Sequence, residues 1–281
     1  MDEKSVYVIQ TLASQSGARA GTATRKDAEK TAPNDVAICP VCQDTGWRPI
    51  SSATDRRVVR CDCFLKKRAR LLLTQARIPA RFGRCEISNY DGKHPSQQRA
   101  KMTAEAFVQQ YPIDKAGLLI LGSLGVGKTH LAVAIMKELI TQKGINCLFV
   151  DYAELLKEIQ GSYNPGTEAT ELAILRPVFD ADVLVIDELG SQKPTQWVLD
   201  TVSFILNTRY NENKTTIFTT NRQDEPALLA TEYSQSSPNS KANAAVKEDT
   251  LGDRIGERTR SRLHEMCRTV EVTGEDRRSL R

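Results

Sequence analysis

Long apolar runs are missing from this chain of 281 residues. A bilayer-spanning helix needs about 20 predominantly apolar residues in succession, so no membrane partner is expected. The first ten residues carry Asp2 and Glu3 and have no long apolar core, so they are not expected to be a secretory signal. Neither sign of charge dominates. The net charge is +4, which permits a nucleic-acid partner without arguing for one. Seven cysteines without an export signal do not suggest a disulfide framework, and a cytoplasmic location is expected. No internal repeat is visible.

The chain divides by pattern. Residues 1–36 are rich in Ala, Thr, Ser, Gly and charge, with little apolar periodicity, and read as a flexible segment. Residues 37–75 hold a cysteine cluster with a basic edge. Residues 76–95 read as a linker, with Pro79 and Gly83 as breakers. From residue 96 to residue 281, strand-length apolar runs alternate with helical stretches. The predicted strands are 117–121, 146–151, 183–187 and 215–219; predicted helices include 128–141 and 195–210. This alternation implies an α/β domain whose parallel sheet is covered by helices on both faces. Residues 231–250, rich in Ser, Asn and Ala, read as a loop.

Gly122-Ser123-Leu124-Gly125-Val126-Gly127-Lys128-Thr129 follows the first of these strands and opens a helix. It fits the phosphate-binding loop pattern G-x-x-x-x-G-K-[ST] in the required context, which separates it from an idle glycine-rich turn. The glycines let backbone N–H groups surround phosphate oxygens, and the helix N-terminus adds a favourable dipole. Lys128 neutralises the β- and γ-phosphates, and Thr129 offers a hydroxyl to Mg²⁺. His130, next along the helix, is counted with the nucleotide-contacting residues. ATP and Mg²⁺ are the expected ligands.

The strand 183–187 ends in Asp187 and Glu188, at the carboxyl edge where such sheets bind ligands. Asp187 suits Mg²⁺, and Glu188 suits a general base acting on water. Asn221, after the strand 215–219, fits either the orientation of that water or a plain strand-to-loop turn, and spacing alone does not choose. Further on, Arg254, Arg258 and Arg262 recur at helical spacing and are expected on one face. Phosphate is one anion that would relieve their repulsion, including a neighbouring chain's nucleotide; solvation, or pairing with Asp253 and Glu257, is the alternative.

Cys39, Cys42, Cys61 and Cys63 form a C-x₂-C and a C-x-C pair separated by eighteen residues. Four thiolates can close a tetrahedral Zn²⁺ site with a structural role. Basic residues Arg56, Arg57, Arg60, Lys66, Lys67, Arg68 and Arg70 flank it. They suit DNA, an acidic protein face or plain solvation. The remaining cysteines, Cys85, Cys147 and Cys267, read as structural.

Taken together, Cys39–Trp47, Cys61-Asp62-Cys63 and Ile78–Phe82 resemble the amino-terminal region of DnaC/DnaI-type helicase loaders. The segments at 122–129, 183–189, 219–221 and 256–263 resemble their AAA+ core. The resemblance runs from about Ala37 to Arg278. It implies a P-loop AAA+ fold with a small amino-terminal zinc-binding domain. Lys128 and Thr129 would be Walker A residues, Asp187 and Glu188 Walker B, and Asn221 sensor 1. Arg262 would be an arginine finger with Arg258 close by, and Arg277 or Arg278 a weak match to sensor 2. It also implies a homo-oligomer through the AAA+ domain, a replicative helicase held by the amino-terminal domain, and single-stranded DNA. The stretch between Walker A and Walker B that contacts DNA in such loaders has only Lys157 and Arg176 as cations here. The rival functions are an IstB-type transposition helper and a nucleotide-gated protein-binding adaptor with little turnover.

Overall fold

The structure, a computed structural model, describes residues 39–50, 57–167, 170–224 and 249–276. The expected flexible segment 1–36, most of the expected loop 231–250, and Arg56, Arg277 and Arg278 lie outside the described residues. The chain forms two compact units, one up to Lys67 and one from Arg68 onward.

In the first unit, β1 (Trp47–Pro49) pairs antiparallel with β2 (Val58–Arg60), Trp47 opposite Arg60. The helix α1 (Asp62–Gln75) starts here. The buried apolar residues of this unit, among those described, are Cys42 and Cys61, too little to hold a fold by burial alone. Arg60 contributes by lying over the rings of Trp47 at 3.9 Å and Phe64 at 4.1 Å, a cation–π arrangement.

In the second unit a capped helix α2 (Pro95–Gln110) precedes β3 (Gly117–Leu121) and α3 (Lys128–Lys143). Then follow β4 (Cys147–Asp151), α4 (Tyr152–Gly161), α5 (Glu171–Asp180) and β5 (Val183–Asp187). The unit continues through α6 (Gln196–Asn211), β6 (Thr215–Thr220), α7 (Leu251–Ile255), α8 (Glu257–Met266) and β7 (Cys267–Glu271). The five strands are all parallel, in the order β4-β5-β6-β3-β7.

Alternate strand residues serve two separate cores, because successive side chains point to opposite faces. Leu118, Ile120, Phe149, Val185 and Ile217 join α2 and α3; Leu119, Leu121, Leu148, Leu184, Ile186 and Phe218 join α4, α5 and α6. With both faces covered, β3 and β5 read as unbroken apolar runs rather than alternating ones.

Two expectations need correction. Residues 76–95 are no linker in the structure: Ala76, Ile87 and Tyr90 are buried in the α2–α3 core, and the Ala76 carbonyl accepts a hydrogen bond from the Phe149 N–H at 2.9 Å. Pro79 and Gly83 bracket a single 3-10 turn, Ala80–Phe82, without freeing the segment, because its apolar side chains still find the core. The arginine-rich stretch is also not one helix. Gly256 adopts φ +85° and breaks it into α7 and α8. Arg254 therefore does not share a helical face with Arg258 and Arg262. A positive φ with an extended ψ of 139° takes the chain out of the helix, and glycine adopts it without strain.

One buried cation holds the end of the sheet remote from the glycine-rich loop. Arg209 on α6 is 1 % exposed. It donates to the carbonyls of Val178, Ala181 and Thr215 and to the Thr216 hydroxyl, at 2.6–3.0 Å. Burial lowers its pKa to about 10, so it stays charged at neutral pH. Arg209→Ala leaves four buried acceptors without a donor. It should cost about 3 kcal/mol in urea denaturation, by the penalty for orphaned buried polar groups.

Candidate functional site

The loop 122–129 joins β3 to α3 at the carboxyl edge of the sheet. Gly122, Gly125 and Gly127 have φ of +155°, +76° and +100°, where an L side chain is strained. Space forbids side chains as well. A Cβ at Gly122 would meet the Val272 carbonyl oxygen at 2.0 Å, and one at Gly125 the Asp276 carboxylate at 1.8 Å. Lys128 reaches back along the loop, donating to the carbonyls of Gly122 at 2.9 Å and Ser123 at 2.7 Å. Its ammonium is thereby held at the rim of the loop.

Strand order brings the acidic site opposite. β6 lies between β3 and β5, so the residues at its end stand between the glycine-rich loop and Asp187. The Thr129 hydroxyl donates to Asp187 Oδ1 at 2.8 Å, and the Thr219 hydroxyl to the same oxygen at 2.5 Å. Thr219 also accepts the backbone N–H of Glu188 at 3.0 Å. Asp187 is buried, and that burial raises its pKa against the two hydroxyl bonds, with Glu188 and Asp151 adding repulsion. A buried carboxylate with a raised pKa and a converging hydroxyl is an arrangement that a divalent cation would stabilise. Glu188, at φ +57°, turns out of the strand into the cavity.

That cavity measures about 570 Å³. Gly125, Gly127, Lys128, Thr129, Glu188 and Asn221 all line it. The structure thus brings Asn221 to the same cavity as the loop and Glu188. Leu124 lines it too and is largely exposed. His130 also lines it, but its ring packs edge-on against Tyr90 at 5.3 Å and its Nε2 sits 3.0 Å from the Glu86 carbonyl. It ties the 76–95 segment to α3. Arg81 and Phe82 of that segment, and Thr219 and Arg222 of β6 and its tail, are also part of the wall. Sequence reasoning did not single out Thr219 or Arg222; the run Thr219-Thr220-Asn221-Arg222 at a strand end was the available signal.

Neither Arg258 nor Arg262 lines the cavity of its own chain. Arg262 donates to Asn207 Oδ1 and stacks over Tyr210 at 4.9 Å. Arg258 is exposed on α8. Arg254 instead binds Asp249 at 2.7 Å and the Gln192 carbonyl at 3.1 Å. The pairing expected with Glu257 is made by Arg260, whereas Asp253 caps α7 through Thr250.

In the first unit the sulfurs of Cys39, Cys42, Cys61 and Cys63 lie within 4.8 Å of one another. Burial opposes ionisation of Cys42, yet hydrogen bonds from Cys63, the Gly46 backbone and the other two thiols outweigh it and lower its pKa to about 6. The four ligand atoms converge as a metal ion would require. The other cysteines, Cys85, Cys147 and Cys267, are buried singly.

Residues 63–226 match the family described as IstB-like ATP binding protein. The chain belongs to this IstB-like ATP-binding family. Within and around that family it resembles the replicative helicase loader DnaC of Escherichia coli K12, at 29% identity over 142 residues, 50% of this chain and 57% of that protein. An uncharacterised Bacillus subtilis protein, YqaM, is 28% identical over 246 residues, 84% of this chain and 67% of the relative. A crystal structure of the DnaC helicase loader superposes with a TM-score of 0.55 at 32% identity, covering 69% of this chain and 99% of the other. A crystal structure of DnaI gives 0.54 at 27%, covering 72% and 94%. The chain spans just over half the length of the curated helicase loaders it matches. These family members share the P-loop AAA+ architecture of the second unit. No helix among the described residues is long and apolar enough to cross a membrane.

Two outcomes follow from this geometry. Asp187 has a folded pKa raised above its unfolded value, so ligand-free stability is lost as pH rises from the ordinary carboxylate range through that folded pKa. Asp187→Asn keeps an acceptor for Thr129 and Thr219. It should therefore be more stable than the parent chain at pH 7 without nucleotide, with the margin shrinking toward acid pH in pH-stepped thermal melts. Cys42→Ser should remove bound metal from the purified protein, read by elemental analysis, and leave ATP affinity in the second unit within about twofold.

Proposed function

We propose that this chain is a Mg²⁺-dependent ATPase that loads a replicative helicase onto single-stranded DNA. The observation carrying the reading is the meeting of the Thr129 hydroxyl and the Asp187 carboxylate at 2.8 Å, beside a glycine-rich loop with Lys128 at its rim. It is supported by the likeness to proteins named as DnaC helicase loaders.

The backbone amides of residues 122–129 hold the triphosphate, and Lys128 leaves the Gly122 and Ser123 carbonyls to neutralise it. Thr129 and Asp187 hold Mg²⁺, which supplies charge neutralisation to the phosphates. Glu188 takes the proton of the attacking water, and Asn221 orients that water. Because Arg258 and Arg262 stand outside their own cavity, they act on the nucleotide of a neighbouring copy in a homo-oligomer. Differential affinity of nucleotide for two assembly states then couples turnover to assembly around DNA. Cys39, Cys42, Cys61 and Cys63 hold Zn²⁺ in a structural role, and the first unit grips the helicase.

Lys128→Ala should abolish binding of a fluorescent ATP analogue. Glu188→Gln should retain that binding and lower turnover by about 100-fold, the scale of losing a general base; equal, near-zero turnover in both the parent chain and the variant would instead identify a nucleotide-gated adaptor. With the full chain as bait in an extract, recovery of a replicative helicase is expected. Recovery of a transposase would make it a transposition helper.

A further inference from the structure

The tail that leaves β6 runs from the cavity to α8. Asn221 and Arg222 line the nucleotide cavity. Three residues beyond Asn221, the Asp224 carboxylate accepts Arg260 Nε at 2.7 Å and meets His264 Nε2 at 3.0 Å. Between them, the Gln223 carbonyl accepts the N–H of Leu251, the first residue of α7, at 2.8 Å. The near end is fixed as well: the Arg222 N–H donates to the Thr220 hydroxyl at 3.1 Å, and that hydroxyl donates to the Leu189 carbonyl, just after Glu188, at 2.8 Å. A continuous set of bonds thus runs from the cavity floor to α8.

Helix geometry gives this contact its direction. Residues two apart on an α-helix are separated by about 200° around the axis. Arg260 and His264 form one stripe of α8. Arg258 and Arg262 form a second stripe, close to the opposite side. Gripping the first stripe fixes the rotation at which the second is presented. The helix has freedom to respond, because Gly256 at φ +85° separates it from α7. Arg262 is meanwhile steadied by Asn207 and Tyr210 on α6.

We propose that Asp224 is a positioning residue that transmits the state of a chain's own nucleotide site to the face of α8 bearing Arg258 and Arg262. This rests on the ATPase reading above, in which those arginines serve a neighbour. A chain that holds ATP then offers its arginines at the angle the next site needs, and a chain without it does not. Asp224 lies outside the lining of the cavity that holds Lys128 and Glu188.

The test is amide hydrogen exchange of the full chain with and without ATP and Mg²⁺, read over residues 257–266. In the parent chain, nucleotide should change exchange across α8. In Asp224→Asn, affinity for a fluorescent ATP analogue should stay within about twofold, while α8 exchange becomes the same with and without nucleotide. Asp224→Glu, which keeps the charge, should recover part of the response. Persistence of the α8 response in Asp224→Asn overturns the proposal, as does a larger loss of nucleotide affinity, which would make the residue part of the binding site. Binding of ATP by the parent chain without any α8 response defeats this inference alone. Failure of the parent chain to bind ATP defeats the ATPase reading and this inference with it.

Discussion

The second unit is organised around a carboxylate kept where a carboxylate is costly. Asp187 sits at the end of a fully buried strand with no cation of its own among the described residues. Two threonine hydroxyls share one of its oxygens. Those bonds are neutral, and neutral donors only partly offset the loss of water around a charge. The residual instability is what a divalent cation would relieve. Thr129 ties that carboxylate to the glycine-rich loop, and Thr219 ties it to the strand ending in Asn221. Burial in the two cores makes this geometry rigid enough to persist.

The order of strands decides what stands near what. With β6 inserted between β3 and β5, the β6 tail is forced to pass the cavity. The same tail then meets α7 and α8 on its way out. A sheet in which β3 and β5 were neighbours would keep a phosphate loop and an acidic pair but would have no such tail between them. Arg209 braces the other end of β6, so the strand is held at its start by one buried cation and at its finish by the Thr219 and Thr220 hydroxyls.

Much of this was legible from residues alone, for stated reasons. β3 and β5 occupy the predicted spans because both faces of a parallel strand are buried and the apolar run is unbroken. The strand β6 differs by one residue and β4 by one. The glycine-rich loop carried its own signal, since φ values above zero and close backbone approach admit no other residue type. Residues 76–95 misled because breakers were taken for exposure, while Ile87 and Tyr90 were bound for a core made by α2 and α3. The arginine stretch misled because a helical period was extended through Gly256. The edge strand β7, buried at Cys267 and Val270 and exposed at the three positions between and after them, showed neither an unbroken apolar run nor a period of two.

By itself the sequence determined the local chemistry: glycines that permit a phosphate loop, a lysine and a threonine at its end, paired acids after an apolar strand, and four cysteines at metal-ligand spacing. These depend on residue type and short-range spacing, which the chain carries without folding. Only the tertiary structure decided which of them meet. It placed Thr219 on Asp187, Asn221 in the cavity, Arg258 and Arg262 outside it, and Asp224 against the far stripe of α8. Such pairings join residues tens of positions apart, and they are settled by strand order and helix rotation rather than by any spacing along the chain.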